Sequence, residues 1–381
     1  MRIAIVTTNR LYPWGGAEHL WHAVALAARA RRWPVLAVAG PLTLDSAPIG
    51  ELRAAGVEVR VLPPSTAVGG GRLAALRAWR QRFLGARRGV GRALRDFAPD
   101  AILVSQCGAF DGAWEPWLQG VIAATGAPYV TITHNNDGQT LGGGDRVACL
   151  DWCRRARLAT FVSAELADLA VRQLGVDPGN LSVVQNPVAI PATPPPWPAS
   201  PPYRLAVVGR LEAHEKGLDL ALAATAAALS RAEGWELSLH GRGPDAAMLR
   251  AQADQLGIGD RVRLAGYTPD PVEIWRHHHL CVLASRWEGF SLVMAEAMAC
   301  GRPVLRTASG GANWIEPGRT GWLCAPGQIE ALTAALGTAW ARRADWASMG
   351  AAARAALLSR LDRDPATTLL DLLATCQSPA R

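Results

Sequence analysis

Short apolar runs alternate with helix-patterned stretches along the whole chain, and this alternation limits the possible folds more than any other feature. The apolar runs predict strands at residues 2–7, 34–39, 57–62, 100–105, 128–133, 159–163, 181–185, 204–208, 236–240, 261–264, 280–284 and 303–306. Helical patterns occupy residues 16–31, 72–97, 163–174, 217–232, 244–256 and 327–342. Continuous apolar strands separated by helices are typical of parallel sheets that are covered on both faces. The sequence therefore predicts an α/β fold.

A proline-rich segment divides this pattern into two halves of similar length. Residues 189–202 contain seven prolines, which excludes a helix or a central strand there. A chain of 381 residues is long enough for two domains of ordinary size. We therefore expect an N-terminal domain over residues 1–188, a stiff linker over 189–202 and a C-terminal domain over 203–360, followed by a tail over 361–381.

Charge and composition narrow the class of protein. The net charge of +7 suggests an anionic partner, but the basic residues are not interleaved with aromatic ones, so no nucleic-acid partner is expected. The seven cysteines lack the spacing of a disulfide framework. The N-terminus begins as a strand rather than a signal peptide, and no apolar run approaches the roughly 18 residues of a membrane span. These features favour a cytoplasmic protein with reduced thiols.

Lys216 is the only lysine in the chain, beside 38 arginines. It belongs to the stretch Gly-Arg-x5-Lys-Gly at residues 209–217, which directly follows an apolar run. Parallel-sheet proteins place phosphate sites at such a strand end, and a lysine ammonium is a compact charge that suits a phosphate oxygen. The alternative is a codon bias that left one lysine by chance.

A second stretch, residues 285–304, combines the end of a strand, a loop and the start of a helix. Glu288 and Gly289 lie in the loop, and Gly301 suits the C-cap of the helix. Backbone amides at the helix start would face an anion. Glu288, and Glu296 eight residues later, would be repelled by a diphosphate and so suit hydroxyl donors instead. The alternative is a solvated helix with two unrelated acids.

Together with Gly15-Gly16-Ala17-Glu18 near the N-terminus, these stretches resemble the retaining glycosyltransferases of family 4. The resemblance extends over nearly the whole chain, and its motifs follow the family's order. It implies the GT-B fold, in which two Rossmann-like doubly wound domains face each other across a cleft. In that family the C-terminal domain binds the nucleotide sugar, the N-terminal domain binds the acceptor, and the C-terminal tail packs back towards the N-terminal domain.

The resemblance also assigns residues to the donor. Arg210 and Lys216 would hold the diphosphate, Glu288 would contact the sugar hydroxyls, and Glu296 would hold the ribose diol. The other donor contacts that it implies are Gly15, Gly16, Gly209, Gly241, Tyr267, Gly289, Phe290, Ser291 and Leu292.

A histidine completes the catalytic set that the resemblance implies. His134 follows a predicted strand and resembles the family's active-site histidine near the donor sugar, so the set would be His134, Arg210, Lys216 and Glu288. A histidine hydrogen-bonded for structure is the alternative.

The implied reaction is transfer of a hexose from a UDP- or GDP-sugar to a hydroxyl of a glycan or lipid-linked glycan, with retained anomeric configuration. Bacterial lipopolysaccharide, exopolysaccharide or glycolipid assembly would use such an enzyme. Asp111, Trp114 and Asp137 are weaker candidates for acceptor contacts, and ordinary loop surface is their alternative. Two other functions stay open: a GT-B nucleotide-sugar 2-epimerase, which needs no acceptor, and a non-catalytic carbohydrate-binding partner.

No cofactor and no metal are expected. Paired cations and a helix N-terminus could neutralise the leaving diphosphate without a divalent ion. A metal-dependent enzyme would need Asp-x-Asp after a strand. The one such match, Asp362-Arg363-Asp364, follows a helix and is predicted to cap the next helix.

Residues 72–95 hold eight arginines and no acid. On a helix, the apolar residues of this region share one side and the arginines take the neighbouring face. The helix could pack on its own sheet with a solvated arginine face. Alternatively, Arg72–Arg95 could dock onto an anionic membrane surface, which would place a cytoplasmic enzyme on the inner face of the membrane.

Overall fold

The structure, a computed structural model, describes residues 1–10, 14–62, 85 and 87–376. The chain divides into two compact units. Unit 1 comprises Met1–Pro187 and Asp362–Arg381, and unit 2 comprises Val188–Leu361.

Unit 1 contains one seven-stranded sheet. Its strands are β1 (Ile3–Thr7), β2 (Val35–Ala39), β3 (Glu58–Val61), β4 (Ala101–Gln106), β5 (Tyr129–Thr133), β6 (Leu158–Phe161) and β7 (Leu181–Val183). They lie in the order β3-β2-β1-β4-β5-β6-β7, and neighbouring strands are parallel. Because β1 and β4 run through the middle of the sheet, all their residues are buried.

Helices cover this sheet on both faces, as the crossover connections of a parallel sheet require. The helices of unit 1 are α1 (Gly16–Ala30), α2 (Ala47–Ala54), α3 (residues 87–97), α4 (Pro116–Thr125), α5 (Gly143–Arg155), α6 (Ala164–Leu174) and α14 (Pro365–Thr375).

The C-terminal helix α14 belongs to unit 1. Leu369, Leu370 and Leu373 are fully buried, and Asp371 pairs at 2.6 Å with Arg31, the residue that caps the end of α1. Asp364 caps the helix by accepting a hydrogen bond from the amide of Thr367, so the predicted capping role of the Asp-x-Asp stretch is confirmed.

Unit 2 contains a six-stranded parallel sheet. Its strands are β8 (Tyr203–Val208), β9 (Trp235–His240), β10 (Val262–Gly266), β11 (Leu280–Leu283), β12 (Val304–Thr307) and β13 (Gly321–Cys324). They lie in the order β10-β9-β8-β11-β12-β13, with neighbours parallel.

The helices of unit 2 are α7 (Ala213–Lys216), α8 (Leu218–Leu229), α9 (Ala246–Gln255), α10 (Pro271–His277), α11 (Leu292–Ala299), α12 (Ile329–Ala341) and α13 (Trp346–Arg360). One large apolar core joins β8, β9 and β11 to α8, α9 and α12. The proline-rich segment packs on this unit, because the guanidinium of Arg302 donates to the carbonyl oxygen of Pro196 at 2.8 Å.

The α/β class and both parallel sheets are confirmed, and each predicted strand has a counterpart shifted by no more than about two residues at either end. The prediction omitted β13, whose Gly-Trp-Leu-Cys sequence is too short to stand out as an apolar run. All seven cysteines are free and five of them are buried.

The arginine-rich segment lies partly outside the described residues, as do Leu76, Trp79 and Phe83 of its apolar side. In the described helix α3, Val90, Leu94 and Phe97 are buried in unit 1, whereas Arg88 and Arg92 are exposed. This part of the segment therefore packs on its own unit. Among the described residues, every helix is too short or too polar to cross a lipid bilayer.

Candidate functional site

The candidate site lies where the strand order of unit 2 reverses. Strands β8 and β11 are neighbours there, although β9 and β10 lie between them in the chain. Loops that leave two such strands diverge and open a crevice at the carboxyl edge of the sheet. Gly209 and Arg210 leave β8 and the Glu288 loop leaves β11, so the topology brings the two predicted motifs together.

Two glycines let the backbone pack closely at this edge. A Cβ atom at Gly241 (φ +145°) would collide with the carbonyl oxygen of Gly209. Likewise, a Cβ atom at Gly217 (φ +62°) would collide with the carbonyl oxygen of Ala284, just beyond β11. Since Gly217 ends α7 in the left-handed region, it fixes Lys216 beside the end of β11.

Lys216 lies between two carboxylates. Its Nζ is 3.0 Å from Oε1 of Glu215 and 3.2 Å from Oε1 of Glu288, and its side chain is 22% exposed. Burial alone would lower the pKa of Lys216, but the two carboxylates outweigh it and raise that pKa above its ordinary value. The ammonium is therefore charged throughout the physiological pH range.

Arg210 is also paired. Its Nη1 is 2.6 Å from Glu212 and its Nη2 is 2.7 Å from Glu215, so Glu215 bridges Arg210 and Lys216. The sequence predicts two cations that would bind a diphosphate. In the structure, both cations are already paired with carboxylates. A diphosphate would have to share or replace these partners.

Glu288 is an ionised carboxylate among cations. Its Oε1 accepts a hydrogen bond from the hydroxyl of Ser285 at 3.0 Å as well as from Lys216, and its Oε2 is 3.9 Å from Nη2 of Arg306. Burial would raise the pKa of Glu288, but Lys216 and Arg306 hold it below its ordinary value. The carboxylate can therefore accept hydrogen bonds from a ligand at neutral pH.

Helix α11 begins where the sequence predicts. Its N-cap is Ser291, whose hydroxyl accepts a hydrogen bond from the amide of Met294 at 3.3 Å. Gly289 and Phe290 lie in the buried turn before the cap, and Leu292 is the first helical residue. Hence the predicted amides of residues 289–292 lie at a helix N-terminus, where backbone donors and the helix dipole favour an anion.

Glu296 lies on the same helix in a different electrostatic environment. Burial raises its pKa to about 7, with no cation to offset the effect. Its carboxyl group is therefore a hydrogen-bond donor or acceptor depending on pH, whereas Glu288 is an acceptor only.

The loops after β9 and β10 offer a third surface at this edge. The amide of Gly241 donates to the carbonyl oxygen of Gly266 at 2.8 Å, which joins the two loops. Tyr267 follows and is 61% exposed, with the guanidinium of Arg242 5.8 Å from the centre of its ring. A flat exposed ring of this kind can stack on a nucleotide base.

The predicted active-site histidine lies in unit 1. His134 is buried, and its Nε2 is 3.2 Å from the hydroxyl of Ser105. Burial lowers the pKa of His134 to about 4, despite an opposing effect of Asn186. The imidazole is thus neutral at physiological pH, and its role towards a donor stays a prediction.

The N-terminal glycine pair also lies in unit 1. Gly15 is the N-cap of α1 and Gly16 its first residue. Glu18 in the first turn is buried and accepts a hydrogen bond from Asn9 at 2.7 Å, and burial raises its pKa to about 7. A contact of these glycines with a donor stays a prediction.

The three acceptor candidates do not share one environment. Asp111 is held by Thr8, whose hydroxyl donates to it at 2.5 Å, and by the amide of Gly108 at 3.0 Å. Trp114 is half-exposed, and Asp137 is exposed with Gln139 as its partner. The contacts of Asp111 fit a structural role, and acceptor binding by the three stays a prediction.

Sequence reasoning missed three residues of the site. Glu215 bridges the two cations, Ser285 holds Glu288, and the fully buried Arg306 approaches the same carboxylate. Arg306 carried an available signal, because a charged residue inside an apolar strand run must have a partner. The other two are ordinary loop residues in sequence.

Two protein-family descriptions match the chain, one on each side of the proline-rich segment. "Glycosyltransferase Family 4" matches residues 14–190, and "Glycosyl transferases group 1" matches residues 202–342.

Curated relatives match over part of their length. The lipopolysaccharide 1,6-galactosyltransferase of Salmonella typhimurium is 32% identical over 197 residues, which cover 48% of this chain and 53% of the relative. The lipopolysaccharide core mannosyltransferase LpcC of Rhizobium leguminosarum is 36% identical over 130 residues, covering 32% and 37% respectively. The alignments thus cover about half or less of the curated relatives described.

Solved structures match over nearly the whole chain. Anabaena HepE in complex with UDP has a TM-score of 0.75 at 20% identity, covering 98% of this chain and 100% of that one. Sucrose-phosphate synthase from Thermosynechococcus elongatus has a TM-score of 0.76 at 19% identity, with coverage of 98% and 99%. This likeness confirms the GT-B fold, with its two Rossmann-like units.

Proposed function

Because the chain belongs to the group 1 and family 4 glycosyltransferases, we propose that it transfers a hexose from a nucleoside-diphosphate sugar to an acceptor hydroxyl and retains the anomeric configuration. The observation that carries this proposal is the contact between Lys216 and Glu288, at the place where the strand order of the unit 2 sheet reverses. One side chain suits a phosphate and the other suits sugar hydroxyls, and a nucleotide sugar presents both groups a few ångströms apart.

The leaving group sets the main chemical demand. As the glycosidic bond breaks, negative charge develops on the diphosphate and must be neutralised. Lys216 and Arg210 supply two positive charges, and the amides at the start of α11 supply fixed donors. With this arrangement we infer that no divalent metal is needed.

Retention of configuration follows from what surrounds the sugar in this proposal. Glu288 is tied to Lys216 and Ser285, so it is placed to orient hydroxyls rather than to attack the anomeric carbon. The departing phosphate would then assist attack of the acceptor from the same face. His134, neutral at physiological pH, could donate or accept a hydrogen bond to the sugar without adding charge.

The comparisons support a donor and an acceptor class. Anabaena HepE was crystallised with UDP and with UDP-glucose, so a UDP-hexose is the first donor to test and a GDP-hexose the second. Relatives named for lipopolysaccharide galactosyl and mannosyl transfer support a bacterial glycan or lipid-linked glycan as acceptor. We infer that the enzyme works in the cytoplasm on such an acceptor, with Arg72–Arg95 as the candidate contact to an anionic membrane surface.

A donor screen tests this proposal. A ligand that binds only the folded state raises the melting temperature, by an amount equivalent to about 2.7 kcal/mol at a hundredfold excess over its Kd. We expect stabilisation by one class of nucleotide sugar, transfer that survives EDTA, and a product whose anomeric proton couples as in the donor. Stabilisation by none of the nucleotide sugars would contradict the proposal, and sugar isomerisation without an acceptor would favour the epimerase instead.

A further inference from the structure

Two buried arginines lie close together in sequence, Arg302 two residues before strand β12 and Arg306 within it. Arg302 is 2% exposed and Arg306 is 1% exposed. Taking a guanidinium out of water costs several kcal/mol unless its donors find partners. The partners of these two residues differ, and the difference indicates different roles.

Arg302 bonds to backbone carbonyls. Its Nε donates to the carbonyl oxygens of Trp275 at 2.9 Å and His278 at 2.8 Å. Its Nη1 and Nη2 donate to Cys300 and Pro196, both at 2.8 Å. These bonds fasten the end of α10 and the proline-rich segment to the unit 2 sheet, which is a structural role.

Arg306 instead fastens the turn that follows β12. Its Nη2 donates to the hydroxyl of Ser309 at 2.8 Å and to the carbonyl oxygen of Gly310 at 3.0 Å. Its Nε donates to the carbonyl oxygen of Thr307 at 3.0 Å, and its Nη1 is 3.0 Å from Sδ of Met294 on α11.

This turn rests on the segment that carries Glu288. The amide of Gly310 donates to the carbonyl oxygen of Glu288 at 3.1 Å. A Cβ atom at Gly310 would collide with the carbonyl oxygens of Glu288 and Gly289, so the two backbones are in direct contact. Because Arg306 fixes this turn, it also fixes the backbone of Glu288, which the turn contacts.

Arg306 also acts on the carboxylate itself. Nη2 is 3.9 Å from Oε2 of Glu288, a distance for charge attraction rather than a hydrogen bond. By geometry, Oε2 is buried and accepts no hydrogen bond from the described residues, whereas Oε1 binds Lys216 and Ser285. The hydroxyl of Ser291 also acts on this carboxylate and helps to lower the pKa of Glu288, after Lys216 and Arg306. A buried oxygen of this kind depends on a nearby positive charge to stay ionised and oriented.

We propose that Arg306 is a positioning residue for the donor sugar, which fixes both the backbone and the carboxylate of Glu288. This inference rests on the proposed function, because it assumes that Glu288 receives the sugar hydroxyls. It goes further in naming a buried guanidinium, on the carboxylate oxygen of Glu288 that Lys216 does not contact, that decides how well the sugar part of the donor is held.

The test compares binding of UDP with binding of UDP-glucose, with GDP and GDP-mannose as a second pair. The ratio of the two dissociation constants measures how much the sugar contributes to binding. In Arg306→Met we expect the dissociation constant of UDP-glucose to rise relative to that of UDP by on the order of tenfold, as for side chains in contact. Binding of UDP alone should change little. Arg306→Lys, which keeps the charge, should restore part of the loss.

Arg302→Met is the matched control. It removes an equally buried guanidinium from the segment just before the same strand and should lower the melting temperature while the ratio stays at the wild-type value. A wild-type ratio in Arg306→Met, or an equal shift in both variants, would overturn the inference. If Arg306→Met does not fold, Arg306→Gln keeps an amide donor for the turn and carries the same expectation.

A double-mutant cycle separates positioning from general damage. In a Glu288→Gln background the charge of Arg306 has no carboxylate to act on, so Arg306→Met should shift the ratio less than about threefold. An unchanged shift in that background would overturn the inference. Wild-type protein that binds none of the four nucleotides would overturn the proposed function and this inference together, whereas normal binding with an unaltered Arg306→Met ratio would overturn this inference alone.

Discussion

At the scale of single residues, the candidate site is a chain of alternating charges. Arg210, Glu215, Lys216 and Glu288 follow one another at salt-bridge distances, and Arg306 closes the series behind Glu288. Such a series holds each side chain in place before a ligand arrives, which is what a site that stabilises developing charge requires. Lys216 is central to it, because it connects Glu215, the partner of Arg210, with Glu288.

Removal of the Lys216 charge should abolish most of the activity. In Lys216→Met the leaving diphosphate loses its compact cation, and we expect kcat for transfer to fall by on the order of a hundredfold or more. Lys216→Arg should recover only part of the activity, because a planar guanidinium does not replace a compact ammonium group. Initial rates under saturating donor measure the effect.

Arg204→Met, at the start of β8 in an exposed pair with Glu236, is the control and should keep nearly wild-type rates. Near-normal turnover by Lys216→Met would remove Lys216 from the site.

Glu296 should make donor binding depend on pH. Burial raises its pKa to about 7, so the free enzyme loses the ionised acceptor for the ribose hydroxyls as the pH falls through that value. We expect the affinity for the nucleotide sugar to rise between about pH 6 and pH 8 and then to level off. Calorimetry with the nucleotide sugar measures this cleanly, since its diphosphate stays ionised over the range. In Glu296→Gln the affinity should be lower and flat with pH, and a retained pH dependence would assign the titration to another group.

At the scale of elements, short turns between strand and helix position the site. Helix α7 has one turn only, and Gly217 ends it in the left-handed region against the backbone of Ala284. Ser291 starts α11 with a side-chain cap, and Gly301 (φ +71°) follows its end. The geometry around Lys216 and Glu288 therefore depends on a few backbone conformations at these turns, together with the contacts that the turns make with neighbouring strands.

The turn at Gly217 gives a prediction about stability. Gly217→Ala would combine an unfavourable left-handed conformation with a collision against the carbonyl oxygen of Ala284, and we expect a loss of more than about 2 kcal/mol. Gly327→Ala is the control, because Gly327 has φ +70° but open space around its Cβ position, so only about 1 kcal/mol should be lost. Melting temperatures of the two variants show whether Gly217→Ala loses more stability than Gly327→Ala. Equal losses would show that backbone contact at Gly217 is unimportant.

The elements also mark how far sequence reasoning reaches. Strands such as β1 and β4 were predictable because their continuous apolar runs are buried on both faces. The helix start at Ser291 and the glycine at 301 were predictable because capping residues are local signals. The bridging role of Glu215 and the approach of Arg306 to Glu288 were not, because they depend on which strands become neighbours in the sheet. Strand order brings β8 beside β11, and nothing local in either strand specifies that order.

At the scale of the whole molecule, the chain joins two sheets of the same kind and returns at its end to the first. Helix α14 packs on α1 of unit 1, with Leu369, Leu370 and Leu373 fully buried. Burial of three leucines contributes several kcal/mol to unit 1, at about 1.5–3 kcal/mol each. The tail is therefore part of the unit 1 core rather than an appendage.

Truncation after Leu361 should weaken unit 1 selectively. Without α14, the apolar face of α1 becomes exposed, and we expect faster amide exchange in α1 and β1 while β8 and β11 of unit 2 keep their protection. Hydrogen exchange read by mass spectrometry distinguishes the units. Asp371→Ala, which removes only the pair with Arg31, is the mild control and should change exchange little. Unaltered exchange in α1 after truncation would contradict the packing described.

The most direct measurement is a crystal structure of the protein soaked with UDP-glucose, and with GDP-mannose if the first does not bind. We expect the diphosphate within hydrogen-bond distance of Lys216 and Arg210, the sugar hydroxyls on Glu288 and the ribose on Glu296, all at the carboxyl edge of β8 and β11. Density for the nucleotide sugar at any other place on the molecule would contradict the proposed donor site.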